Sequence, residues 1–257
     1  ILLTGTRATS WPDSNSAYSY LSFFFRGEYN YKDLYYAEVA ARTDASSRFG
    51  ADHRWGMFWS LGFMWNIKNE AFLKDIEWLT SAQVKLSTGT SGNSEIPYYD
   101  HLALVSGDAN YNDEAGIYPS QSGNEELSWE QTWANNVGVS FGLYNRVNVN
   151  VDFYHKKTTN MLMLVPQSYA ITGVGNRWDN IGAMMNRGVE IAIDGDVIRT
   201  KDFTWNLSAN VSYNKNKLLE LYNGVEEYVN STTGLKYVVG HSVREYFMNR
   251  YAGLNPA

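Results

Sequence analysis

Phe203-Thr-Trp-Asn-Leu-Ser-Ala-Asn-Val-Ser-Tyr213 alternates without a break: Phe203, Trp205, Leu207, Ala209, Val211 and Tyr213 against Thr204, Asn206, Ser208, Asn210 and Ser212. A period of two puts the first set on one face of a β-strand and the second on the other. The same rhythm recurs upstream. Between Ser19 and Tyr31 the odd positions carry Leu21, Phe23, Phe25, Tyr29 and Tyr31, while the even ones from Ser22 include Arg26, Glu28 and Asn30. It resumes with Tyr35, Ala37, Val39 and Ala41, and again with Trp55, Met57, Trp59, Leu61, Phe63, Trp65 and Ile67. Further strands are expected at Ala82–Thr88, Thr132–Leu143, Val147–Phe153 and Gly188–Val197. Between Asn69 and Thr80 the rhythm breaks, because Phe72, Leu73, Ile76 and Leu79 fall at helical spacing behind Asn69, and this predicts one short helix near 69–80.

Composition agrees with an all-β chain. The 257 residues include 19 Tyr, 11 Phe, 9 Trp, 25 Asn and 21 Gly, a strand-and-turn vocabulary. With no cysteine there is no disulfide framework, thiolate metal site or cysteine nucleophile. The net charge of -6, with 10 Lys and 11 Arg scattered, argues against a grip on nucleic acid. No run of about 18 apolar residues is present, so there is no transmembrane helix. A β-barrel remains open, since it crosses lipid on alternating strands of about 10 residues.

The connections decide between a soluble sandwich and such a barrel. They are short at Lys32-Asp33, Tyr144-Asn145-Arg146 and Ile198–Asp202 and compact at Asn69–Thr80; they are longer at Asp44–Arg54, Ser91–Gln131, Lys156–Arg187 and from Asn214 onward. Short turns alternating with long ones describe an antiparallel up-and-down transmembrane β-barrel, its short turns periplasmic and its long loops extracellular. Tyr29, Tyr31, Tyr35, Trp55, Trp205 and Tyr213 fit aromatic girdles at the interfaces. Arg26, Glu28, Glu38, Arg42, Lys85, Asp152, Glu190 and Asp194 are expected to face a polar lumen, mostly as structural pairs.

Arg42-Thr-Asp-Ala-Ser-Ser-Arg-Phe-Gly50, followed by Arg54-Trp-Gly-Met-Phe-Trp-Ser60, Trp65-Asn-Ile67 and Glu70-Ala-Phe-Leu73, resembles the signature of the SusC-like TonB-dependent outer-membrane transporters. Its family positions here are Arg42, Asp44, Ser46, Ser47, Arg48, Phe49, Gly50, Arg54, Trp55 and Gly56. Gly116-Ile-Tyr-Pro-Ser120, Gly123-Asn-Glu-Glu-Leu-Ser-Trp-Glu130, Asn180-Ile-Gly182, Asn186-Arg-Gly-Val-Glu190, Asp202-Phe-Thr-Trp205 and Asn214-Lys-Asn-Lys217 follow in order. Ala45 stands where the family usually has Gly, and Trp59 where Pro is common.

The resemblance implies a barrel of about 22 strands around an N-terminal plug. Residues 1–257 are then part of a single barrel domain, a partial barrel of about nine or ten strands, with the plug, the energy-coupling box and the final strand outside the chain. It also implies an active importer of a nutrient, an oligosaccharide or a peptide, in the outer membrane of a Gram-negative bacterium. A SusD-like surface lipoprotein, TonB as energy source and membrane lipid are the implied partners, with no enzyme activity and no cofactor. The other readings are a soluble carbohydrate-binding or adhesin-like β domain and, third, a passive porin.

Candidate contacts for ligand or partner lie in the long connections, where Tyr98, Tyr99, Tyr111, Tyr118, Tyr169 and Trp178 offer flat faces at low entropic cost. The alternative is that these rings pack the loops into a cap. Other chemistries find little support. His53, His101, His155 and His241 lack zinc-ligand spacing, Gly173-Val-Gly175 lacks a third glycine and a strand-to-helix turn, and no serine sits in a Gly-x-Ser-x-Gly elbow. Asp108, Asn110 and Asn112 resemble the start of a calcium loop, but Asp113 replaces the sixth-position Gly and Pro119 the twelfth-position Glu. A solvated acidic loop is the simpler reading.

Overall fold

The computed structural model describes residues 16–111, 114–229, 235–243, 245, 251 and 253. Chain order runs β1 (Tyr20–Tyr31), β2 (Tyr35–Ser46), β3 (Trp55–Asn66), β4 (Leu79–Asn93), β5 (Leu104–Tyr111), β6 (Glu114–Gln121), β7 (Glu130–Leu143), β8 (Val147–Thr159), β9 (Leu162–Pro166), a one-turn helix α1 (Tyr169–Thr172), β10 (Asn176–Asn180), β11 (Ala183–Arg199), β12 (Thr204–Glu220), β13 (Glu227–Val229) and β14 (Lys236–Val238).

Eight of these strands form one antiparallel sheet in the order β1-β2-β3-β4-β7-β8-β11-β12, each wall strand pairing with the next along the chain. This is an open stretch of an up-and-down barrel wall. The wall has eight strands among the described residues, fewer than the expected nine or ten, and the remaining β structure forms three separate hairpins, β5/β6, β9/β10 and β13/β14.

Register carries the alternation from strand to strand. Phe25 sits opposite Ala41, Val39 opposite Leu61, Val139 opposite Val151 and Val151 opposite Ile191, so one face is apolar across the sheet. On that face Phe23, Met57 and Val211 are 59%, 69% and 68% exposed, which in water would be untenable over so wide a patch and in lipid is expected. The other face carries the charges. Arg26 bridges Glu28 at 2.5 Å and Glu38 at 3.2 Å, Arg42 pairs with Asp44 at 2.7 Å, and Asp194 accepts from Asn148 at 3.0 Å. Glu190 stands directly opposite Asp152.

The two rims differ as the connection lengths require. At the short rim, residues 32–33 and 144–145 form two-residue turns with φ between 53° and 56° at all four positions, closed by Leu34 N–H to Tyr31 O at 3.0 Å and Arg146 N–H to Leu143 O at 2.9 Å. Such turns match the right-handed twist of the flanking strands. The Asn30 side chain ties both the backbone and the carboxylate of Asp33, at 3.0 and 2.7 Å.

The helix expected near 69–80 is replaced by a single 3-10 turn at Ile67–Asn69 followed by irregular turns. Side-chain hydrogen bonds, some within the segment and some to other elements, explain this. Lys68 Nζ donates to the carbonyls of Leu73, Lys74 and Ile76 at 2.7–3.0 Å, taking acceptors a helix would need for its own backbone. Asn69 donates to the Asp33 carbonyl instead of capping, and Glu70 is held by the Tyr35 hydroxyl and the Trp65 indole.

A wall with lipid on one side and lumen on the other has no interior of its own, so the core gathers at the long rim. Phe49, Phe58, Ile96, Leu127 and Trp129 form it, with Leu162 and Trp178 packed against it.

Candidate functional site

The loop-bearing rim is built around the stretch 42–56. Ser46 closes the end of β2, its N–H bonding to the Arg54 carbonyl at 3.1 Å, while its side-chain oxygen accepts from Arg48 N–H. Ser47 exchanges bonds with Ser19, through N–H to O at 3.1 Å and Oγ from N–H at 2.9 Å. Phe49 is fully buried. Gly50 and Gly56 are required by close approach, since a Cβ at Gly50 would run into the Glu125 carbonyl and one at Gly56 would lie 2.8 Å from the Trp129 indole. Trp55 takes the outward face and stacks on Phe23, centroids 6.3 Å apart.

Arg48 anchors the rim electrostatically. Its guanidinium lies 4.8 Å from the Tyr18 ring centroid, 5.0 Å from Tyr98 and 6.0 Å from Tyr20, and donates to the Ser94 carbonyl at 3.0 Å. Three ring faces around one cation form a cage that joins the entry to β1 with the connection after β4. Asn124 and Asn180 clamp the two longest connections together. Asn124 donates to the Trp178 carbonyl at 3.0 Å, and Asn180 both accepts from Ser128 N–H at 2.7 Å and donates to the Ser128 carbonyl at 2.8 Å. Glu130 adds a bond from Leu162 N–H at 3.0 Å.

The structure places the six aromatic candidates in different settings. Tyr98 stacks on Tyr18 at 4.9 Å inside the Arg48 cage, and Tyr99 meets it edge-on while its hydroxyl bonds both backbone groups of Ala17. Trp178, on β10, is half-buried and packs against the buried cluster. Tyr118 on β6 and Tyr169 at the start of α1 are free of it, 39% and 67% exposed. Tyr111 ends β5 opposite Glu114, its side chain outside the described residues. In the calcium candidate, Asn110 is exposed on β5, while the Asp108 and Asn112 side chains lie outside the described residues.

Two concave regions accompany this rim. One, of about 430 Å³, sits on the charged face beneath it, lined by Tyr20, Arg42, Asp44, Phe58, Ser60 and Trp129 among others. The second, of about 310 Å³, opens between the two longest connections and includes Asp100, Gln121, Arg177 and Trp178. Burial raises the Asp100 pKa from its ordinary carboxylate value, against the opposing pull of His101 and the Trp178 N–H. Asp100, Arg177, Tyr18 and the Asn124–Asn180 clamp were not legible as a site in the sequence; the only hint was that both asparagines fall in quoted motifs.

A sheet apolar on one face and charged on the other, with alternating rims, defines this chain as a stretch of transmembrane β-barrel wall. The chain belongs to the TonB dependent receptor-like β-barrel family, whose model matches residues 2–253. It is 37% identical over 219 residues to TonB-dependent receptor P39 of Formosa agariphila, covering 85% of this chain and 20% of that protein. It is 35% identical over 216 residues to TonB-dependent receptor SusC of Bacteroides thetaiotaomicron, covering 79% and 21%. The chain thus spans about a fifth of the length of these curated relatives. Among solved structures, the RagAB peptide transporter superposes with a TM-score of 0.81 at 38% identity, over 87% of this chain and 25% of that one. The siderophore receptor PirA of Pseudomonas aeruginosa, at 13% identity and a TM-score of 0.52 over 78% and 37%, shares the fold.

Proposed function

We propose that residues 1–257 form part of a single barrel domain in a TonB-dependent active importer, which moves a nutrient, an oligosaccharide or a peptide, across the bacterial outer membrane. The carrying observation is the wall itself: one face suited to lipid, the other polar, and the two longest connections, β4 to β7 and β8 to β11, at one rim. Such a wall performs no covalent chemistry; it supplies a closed hydrogen-bonded cylinder, a polar passage and a mouth. The likeness to SusC and to the RagAB peptide transporter supports nutrient import and a SusD-like surface lipoprotein at the long rim. TonB supplies the energy through a plug region. Tyr98, Tyr99, Tyr111, Tyr118, Tyr169 and Trp178 contact cargo or lipoprotein at the mouth.

The test is deletion of the full-length gene in its host, followed by growth on single oligosaccharides and on peptides and by pull-down of the membrane complex. Loss of growth on one nutrient class, restored by the intact gene but not in a strain lacking TonB, is the expected result. Unchanged growth on every nutrient would overturn the reading.

A further inference from the structure

The outward face does not stay apolar up to the long rim. Beyond Val151, Ile191 and Val211 each strand passes one more hydrophobic residue, Phe153, Val189 or Tyr213, and then becomes polar. Arg187 stands opposite both His155 on β8 and Lys215 on β12. Two residues nearer the rim, Met185 stands opposite Lys157 and Lys217. Lys157, Arg187, Lys215 and Lys217 are all exposed, and none forms an ion pair among the described residues. Over 131–143, 147–157, 185–195 and 205–217 the outward positions hold no Asp or Glu. Asp152, Glu190 and Asp194 lie on the opposite face.

We infer that this patch binds the phosphate of an anionic lipid in the leaflet beside the long-loop rim, whatever the cargo of the barrel. Strands about 4.8 Å apart, with same-face residues about 7 Å apart along each, put the four basic positions within about 10 by 7 Å. That is a span one phosphorylated headgroup can bridge, with Arg187 able to take two of its oxygens at once. Like charges directly opposite, as Arg187 and Lys215 are, repel each other, and an anion between them removes that repulsion. The height also fits. A barrel's apolar band, about 25 Å tall, ends in an aromatic girdle, and Tyr213 is the exposed ring directly below Lys215. The lysines therefore begin where acyl chains give way to headgroups, stems lying on apolar surface and ammonium groups lifted to the phosphates. Directly beneath, Phe153, Val189 and Val211 continue the lipid-facing band, so acyl chains of the same molecule have a surface to lie on. A free anion gains nothing from that continuity.

Energy transfer from the tryptophans of the full-length protein to dansyl-labelled bisphosphorylated lipid A, in phosphatidylcholine vesicles, tests this. The competitors are unlabelled bisphosphorylated lipid A, lipid A stripped of phosphate, and inorganic phosphate. The expected result is saturable transfer that only the phosphorylated lipid displaces. Replacing Lys157, Arg187, Lys215 and Lys217 together by Gln should weaken binding about tenfold or more. The double variant Arg187→Gln/Lys215→Gln should weaken it less, and it decides the matter if the quadruple variant does not insert. The control Lys85→Gln/Lys156→Gln, on the opposite face, should bind like the parent. The inference is overturned if phosphate-free lipid A competes equally, if inorganic phosphate displaces the lipid, or if the variants bind like the parent. It is also overturned if the quadruple variant keeps the lipid but loses a surface lipoprotein on pull-down, which would make the patch a protein contact. Failure of the parent to insert would remove the barrel reading as well, whereas insertion with no preference for the phosphorylated lipid removes this inference alone.

Discussion

The indole N–H of Trp129 donates to the backbone carbonyl of Arg54 at 2.8 Å, across 75 residues of chain. That carbonyl also accepts from Ser46 N–H, so one oxygen ties together the end of β2, the start of β3 and the approach to β7. Phe49 and Phe58 flank the same indole with centroids 5.4 Å away. Trp129→Ala should therefore destabilise the rim by about 3–5 kcal/mol, the range for deleting a buried aromatic. Trp129→Phe should cost less, keeping the packing and losing the bond. Urea unfolding of the refolded full-length barrel, with limited proteolysis of 94–129, measures both.

Gly50 allows a second test of the same knot. A Cβ there collides with a main-chain carbonyl, Glu125 O, which has no flexible side chain to swing aside. Gly50→Ala is expected to unseat the 94–129 connection at a cost of at least about 1–3 kcal/mol. It should appear as new protease cleavage in that connection while heat-modifiable mobility of the barrel on gels is retained.

The two faces of β8 predict opposite tolerance. Val151 points outward between Val139 and Ile191, whereas Asn150 lies on the charged face between Ser140 and Ala192. Val151→Arg should cost about 2–4 kcal/mol near the bilayer midplane, and Asn150→Arg far less. Folding yield into vesicles distinguishes them, and equal tolerance would contradict the assignment of faces.

The aromatic candidates should separate by setting. Tyr98→Ala opens the Arg48 cage and is expected to loosen the loop by about 1 kcal/mol, the scale of a partly exposed cation–π contact. Tyr169→Ala removes an exposed ring on α1 and should leave stability unchanged while lowering nutrient uptake or lipoprotein retention. Hydrogen exchange over 94–104 reads the first, and co-purification with uptake reads the second.

Asp100 sets a pH dependence. Its pKa is raised above the ordinary 3.8, chiefly by burial, so the folded loop holds the proton more tightly than the unfolded one. This contribution favours the folded loop fully below the unfolded pKa and is lost as pH rises through the raised folded value. Asp100→Asn removes it. Exchange protection of the loop at pH 7 should thus be equal or greater in the Asn variant, with the difference shrinking toward about pH 3.

The eight wall strands, their inward and outward sets and the asymmetry of the rims were all legible from residue order, because a β-strand writes its environment at a period of two whatever it pairs with. Phe203–Tyr213 carries that information entirely within itself. The segment after β3 was not readable in this way: Phe72, Leu73 and Ile76 have helical spacing, but Lys68 takes up carbonyls of the segment itself, and Asn69 and Glu70 spend their hydrogen bonds on the β1–β2 turn and β2, which no periodicity records. The hairpins β5/β6 and β9/β10 were missed for a related reason. Both lie in long loops where β5/β6 pairing is broken by register shifts and no lipid imposes alternation.

The chain's own order therefore determined a two-faced, meandering wall and, through its motifs, a family. What the residues of 42–56 accomplish was decided only by folding. Phe49 meets Trp129, Arg48 meets Tyr98 and Gly50 meets Glu125 across separations that sequence spacing does not encode, because contacts between loops depend on where the wall strands deliver their ends. The Asp100–Arg177 cavity arises in the same way, from two connections that are strangers in sequence and neighbours once β4, β7, β8 and β11 stand side by side.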